Sequence, residues 1–94
     1  MRIVGRKQIE EFMKAHADAR PALSAWVSHV AAAGWRSPLE MLERYPRSSL
    51  IRDGLYVFNI KGNDYRLAAR VDFRNEIVRV VKVGTHAEYD EWSL

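Results

Sequence analysis

The chain has 94 residues, 48% of them hydrophobic and 29% charged, with a net charge of +3. That is the make-up of one small globular domain, residues 1–94, with material for one modest core. Absence of cysteine excludes disulfides, thiolate catalysis and cysteine zinc sites. No apolar run approaches the roughly 20 residues of a membrane span, and MRIVGRKQIEEF has no small-residue cleavage site, so a cytoplasmic protein away from membranes is expected.

In chain order, Arg2-Ile3-Val4 is suited to pairing at a sheet edge. Ile9, Phe12, Met13 and His16 or Ala17 recur at the spacing of one helix face. Pro21 opens a second helix in its first turn, where Leu23, Trp26, Val27 and Val30 repeat that spacing, and Gly34 is the expected stop. Ser37-Pro38-Leu39-Glu40 reads as a capping box starting a short helix that Pro46 ends. Ser49-Leu50-Ile51 offers one more short strand. Thereafter the period changes. Leu55 to Ile60 is rich in strand formers, and Lys61-Gly62-Asn63-Asp64 is a turn. Tyr65, Leu67, Ala69, Val71 and Phe73 alternate with Arg66, Ala68, Arg70 and Asp72, which predicts a strand with one buried face. Arg74-Asn75 turns the chain, and the apolar residues of Ile77 to Val83 occupy both parities, as in a central strand. Short turns make these strands antiparallel neighbours. The expected class is α+β: helices on one face of a twisted antiparallel sheet, alternating arginines on the other, and a short C-terminal helix.

Charge is uneven. Between Arg44 and Lys82 nine Lys/Arg stand against four Asp/Glu, whereas Val83 to Leu94 holds three acids and no Lys/Arg. Arginine's rigid fork suits phosphate, although a basic block is also the ordinary face of a solvated sheet. KVGTHAEYDEW follows the last strand. Thr85-His86-Ala87-Glu88 is a second capping box, which sets His86 in a first helical turn, beside N–H groups suited to an anion, and Tyr89 on the same helix face. Imidazole is well matched to proton transfer near neutral pH; a first-turn surface histidine is the plainer alternative. The other histidines, His16 and His29, fall within helices without metal-ligand spacing. Trp26 reads as core, Trp35 and Trp92 as plugs at element ends.

Tyr56-Val57-Phe58-Asn59, Gly62-Asn63 and Arg66, followed by Thr85-His86 and Glu88-Tyr89-Asp90, together resemble the HigB toxins of bacterial toxin–antitoxin pairs. The resemblance covers most of the chain and is strongest over residues 56–90. It implies a RelE-like fold, an endoribonuclease acting on mRNA at the ribosome, and a HigA-like helix-turn-helix antitoxin as partner. It also implies Arg66, His86 and Tyr89 as catalytic residues. Asn59 and Asn63 match the motif as well and are expected among the RNA-binding residues, with a structural role as the alternative: Asn63 suits a left-handed turn position, and Asn59 a bond between strands. Arg70, Arg79 and Lys82 are expected to hold RNA on strand parity and charge, and Lys61 joins them on charge alone. The basic block holds no carboxylate cluster for magnesium, so the expected mechanism needs no metal or other cofactor: the ribose 2′-hydroxyl attacks the adjacent phosphorus, helped by a base, an acid and cations. Two other readings stand beside this one: a basic sheet that binds RNA or the ribosome without cutting, and an interaction domain that docks an acidic protein.

Overall fold

The computed structural model describes residues 1–94. Its elements are β1 (Arg2–Val4), α1 (Arg6–Ala15), a 3-10 turn (Ala17–Ala19), α2 (Arg20–Ala32), α3 (Pro38–Arg44), β2 (Ser49–Arg52), β3 (Leu55–Ile60), β4 (Tyr65–Asp72), β5 (Ile77–Thr85) and α4 (His86–Tyr89). α1 buries Ile9 and rests Phe12 and Met13 on the core. His16 ends it, with its ring 4.2 Å from that of Phe12. α2 carries Pro21 in its first turn and buries Leu23, Trp26 and Val30. Its end differs from expectation. The chain leaves in an extended conformation at Ala33, and Gly34 does not adopt a positive φ; the Met1 amino group donates to the Val30 and Ala33 carbonyls there, which satisfies groups a left-handed glycine would otherwise serve. Before α3, the Ser37 hydroxyl accepts from the Glu40 N–H at 3.3 Å.

The five strands form one sheet in the order β1-β5-β4-β3-β2. β2 to β5 are an antiparallel meander with short turns. β1, however, runs parallel to β5, Ile3 opposite Val78, so the sheet is mixed. The reason is connectivity: the whole helical layer, not a hairpin, separates β1 from the meander. Gly5 makes the entry into α1 at φ 97, where an added Cβ would lie 3.1 Å from the Val80 Cβ.

The main core lies between the helices and one sheet face: Ile9, Leu23, Trp26, Val30 and Met41 meet Tyr56, Phe58, Leu67, Ala69, Val78 and Val80. Each large, fully buried side chain contributes about 1.5–3 kcal/mol, so this face dominates the stability. The register slips between Ala68 and Ala69, which pair with Lys82 and Val80 and leave Val81 as the extra residue of a bulge. Val78, Val80 and Val83 therefore pack toward the helices while Val81 packs on the far side. That bulge is why β5 is apolar at both parities. The far face is not the open arginine surface expected. Its centre is apolar, and Val81, Tyr89, Trp92 and Leu94 cover Leu55, Val57 and Ala68.

Candidate active site

The site begins with the β3–β4 hairpin. Asn59 stands opposite Arg66, and Ile60 opposite Tyr65. The loop between them takes its left-handed conformations at Lys61 and Gly62, not at Asn63 as the sequence suggests. Asn63 instead serves as an acceptor. Its carbonyl receives Arg66 Nη1 at 2.8 Å, and its side-chain Oδ1 lies 3.5 Å from Arg66 Nη2. The same Oδ1 accepts from Asn59 Nδ2 at 3.3 Å, so the Asn59 bond goes into the loop rather than across the strands. Arg66 Nη1 also donates to the Tyr65 carbonyl at 3.1 Å. Arg66 is the buried charged residue of the chain, at 8% exposure. Burying a guanidinium is tolerable only where its N–H groups find acceptors, and the hairpin supplies them.

α4 closes over this corner. The Thr85–Glu88 capping box forms in full: Glu88 N–H donates to Thr85 Oγ1 at 3.1 Å, and Thr85 N–H to Glu88 Oε1 at 2.8 Å. The His86 N–H donates to the Asp64 carbonyl at 3.0 Å, tying the start of α4 to the hairpin loop. Two donors of this single turn are thus occupied, so the expected anion site at its N-terminus is largely spent on fixing α4. The His86 side chain is about half exposed, and its Nδ1 lies 3.4 Å from Asp90 Oδ2. Tyr89 turns its ring under Arg66, with Cζ 5.4 Å from the ring centroid. Trp92 stands edge-on to Tyr89 at 5.5 Å, and Lys82 Nζ lies 5.7 Å from the Trp92 centroid. Arg66, Tyr89, Trp92 and Lys82 thus form a row with a cation at each end and two rings between, each cation–ring contact being worth about 0.5–1 kcal/mol at exposed positions.

Trp92 reaches this place because residue 84 is glycine: a Cβ there would come within 2.7 Å of Trp92 Cζ2. Sequence reasoning took Trp92 for a plug and passed over Gly84. The pairing of a strand-end glycine with a nearby tryptophan was the only available signal. Arg70 and Arg79 face each other four residues farther along β4, where like charges repel. Arg70 Nη1 bonds to the Asp53 carbonyl at 3.0 Å. Lys61 is placed differently. Its ammonium lies 3.0 Å from Asp18 and 3.9 Å from Asp64, within a clasp where the Tyr65 hydroxyl donates to Asp18 Oδ1 at 2.6 Å. That bond lowers the Asp18 carboxyl pKa and pushes Tyr65 up to about 12. No arginine takes part in an ion pair, which leaves the basic groups of the far face unneutralised. No three His, Asp or Glu side chains converge as metal ligands would.

Residues 19–92 match the HigB toxin family, described as the RelE-like toxic component of a toxin–antitoxin system. The chain belongs to the HigB toxin family. The match takes in the hairpin, β5, α4 and Trp92, and leaves out β1 and α1. Relatives agree along nearly the whole length. The mRNA interferase toxin HigB of Escherichia coli K12 is 26% identical over 92 residues, covering 96% of this chain and 88% of that protein. The mRNA interferase HigB of Shigella flexneri stands at the same values, and that of Escherichia coli O6:H1 is 27% identical over 93 residues, 97% of this chain and 90% of its own. The α+β architecture, with its short C-terminal helix, is consistent with a RelE-like fold. No helix is long and apolar enough to cross a membrane.

Proposed function

We propose that this HigB-family toxin is a metal-independent endoribonuclease that cuts mRNA on the translating ribosome in the cytoplasm, and that a HigA-like helix-turn-helix antitoxin encoded beside it restrains it. The observation that carries this reading is the meeting of Arg66, Tyr89 and the first turn of α4 at one corner of the sheet. RNA supplies its own nucleophile. The 2′-oxygen attacks the adjacent phosphorus and its proton passes to a base. The P–O5′ bond breaks and the 5′-oxygen takes a proton from an acid, leaving a cyclic phosphate and a 5′-hydroxyl. One proton transfer falls to His86, whose ring is half exposed beside Asp90 and within reach of substrate. Tyr89 stacks on the nucleotide or shares the second transfer. Arg66 has donors left over after serving the hairpin carbonyls, and these meet the extra negative charge on the phosphoryl oxygens. Arg70, Arg79 and Lys82 hold flanking phosphates or ribosomal RNA.

The test is induced expression with 5′ ends mapped across cellular mRNA, with and without the adjacent gene. New 5′-hydroxyl ends and growth arrest, both relieved by co-expression, are expected. Harmless high-level expression of folded protein counts against the toxin reading. Ribosome association without new ends favours a module that binds and does not cut.

A further inference from the structure

We propose a second RNA subsite, in a groove of about 260 Å³ on the open flank of β3. Arg44, Tyr45, Arg47, Ser48, Phe58 and Asn59 line it, and Arg66, His86 and Tyr89 do not. The inference rests on the reading that this chain cuts RNA: the groove holds the strand a short way from the cut. β2 pairs with β3 only over Leu55 to Val57, so beyond Val57 that edge of β3 has no neighbouring strand. The loop after α3 fills the space beside it.

Four features suit a ribonucleotide. Two guanidiniums flank the groove and none of its lining residues is acidic, so a phosphate meets attraction without opposing charge. Arg47 is exposed and has no side-chain partner, and Arg44 is held between His29, at 2.6 Å, and the Tyr45 ring, at 5.1 Å. Tyr45 is half-buried and braced edge to face on the buried Phe58 at 5.4 Å, so its remaining exposed ring surface is held in place for a base. The Ser48 hydroxyl spends its proton on the Tyr45 carbonyl at 2.9 Å. It therefore presents lone pairs to the groove, which suit a ribose hydroxyl and not a phosphate or carboxylate oxygen. That last point favours RNA over an acidic peptide. The groove also connects to the cutting corner, because Asn59 bonds to Asn63, which in turn holds Arg66.

The experiment measures binding of a short single-stranded RNA by fluorescence anisotropy across a salt series, in a His86→Gln background that leaves the groove untouched. Arg47→Ala and Arg44→Ala are each expected to make the slope of log K against log salt shallower by about 0.7, the loss of one phosphate contact. Arg36→Ala, an exposed arginine outside the groove, should leave the slope unchanged. Ser48→Ala should narrow the preference for RNA over DNA of the same sequence. An unchanged slope for Arg47→Ala, an equal change for Arg36→Ala, or no RNA binding by the folded chain overturns the subsite. So does an Arg47→Ala effect confined to antitoxin binding. Cleavage is followed separately with His86 intact. If nothing is cut while the slopes still change, the nuclease reading falls and the groove stands as an RNA-binding site.

Discussion

Arg66→Ala should disable the site in two ways that can be measured apart. Arginine has five N–H donors. In this chain Arg66 commits Nη1 to the carbonyls of Asn63 and Tyr65, at 2.8 and 3.1 Å, and directs Nη2 toward Asn63 Oδ1 at 3.5 Å. The remaining donors are those available to substrate. Removing the side chain withdraws transition-state charge stabilisation of about 3 kcal/mol, on the order of 10²-fold in rate. It also leaves hairpin carbonyls short of a partner, at about 1–3 kcal/mol of stability for a buried group. Arg66→Lys keeps the charge but not the fork, and an ammonium cannot serve both carbonyls and a phosphate in one geometry. We expect Lys to recover part of the stability and little of the rate. The assay is single-turnover cleavage of a ribosome-bound message by each purified variant, with thermal melts alongside. A folded Arg66→Ala chain that cuts at the wild-type rate would refute the assignment. Full recovery by lysine would show that charge alone matters and that the bonds to Asn63 do not position the group.

His86→Gln should cost about 10²–10⁴-fold in cleavage rate with folding retained, and Tyr89→Phe less, because the ring under Arg66 and beside Trp92 survives while the hydroxyl is lost; a folded His86→Gln chain with wild-type activity would return His86 to an ordinary first-turn residue. Arg70→Ala and Arg79→Ala should each weaken ribosome association and flatten its salt dependence by roughly 0.7 in log–log slope, whereas affinity insensitive to salt would remove the electrostatic basis of the basic face. The Asp18–Tyr65 clasp should make stability depend on pH at both extremes. Asp18 titrates below its ordinary 3.8, so its contribution is complete above that value and is lost as pH falls through the lowered pKa; Tyr65 is raised from 10.0 to about 12, so its contribution is complete below 10.0 and is lost as pH rises through about 12. Asp18→Asn should remove only part of the alkaline loss seen in thermal melts, because burial raises Tyr45 as well, and only part of the acid loss, because Asp72, lowered by its bonds from Asn75, titrates in the same direction; an unaltered alkaline limb would sink the clasp.

What could be read from the chain depended on whether the physics was local. The α1 and α2 faces and the Thr85–Glu88 capping box each lie within a few residues of sequence, and each forms as read, whereas β4 is the strand expected but is buried on both faces from Tyr65 to Ala69. Non-local consequences were out of reach. Nothing near Arg2 announces that β1 will lie parallel to β5, because that pairing joins opposite ends of the chain. Lys61 looked like one more basic residue for RNA, and its partner Asp18 lies 43 positions away. Asn63 sat in the right turn for the wrong reason: the left-handed conformation went to Lys61 and Gly62, and the amide became a fixed acceptor for Arg66. The covered far face has the same origin. Alternating arginines on β4 implied an open basic surface, but the bulge at Val81 turns one valine outward, and Gly84 leaves space for Trp92 to fold back over Ala68 and Val57. The apolar centre separates the Arg66 corner from the Arg70–Arg79 pair. On the proposed function, a strand of RNA crossing this face would bend around the C-terminal segment or displace it, and either course would make Trp92 and Gly84 part of how substrate is admitted.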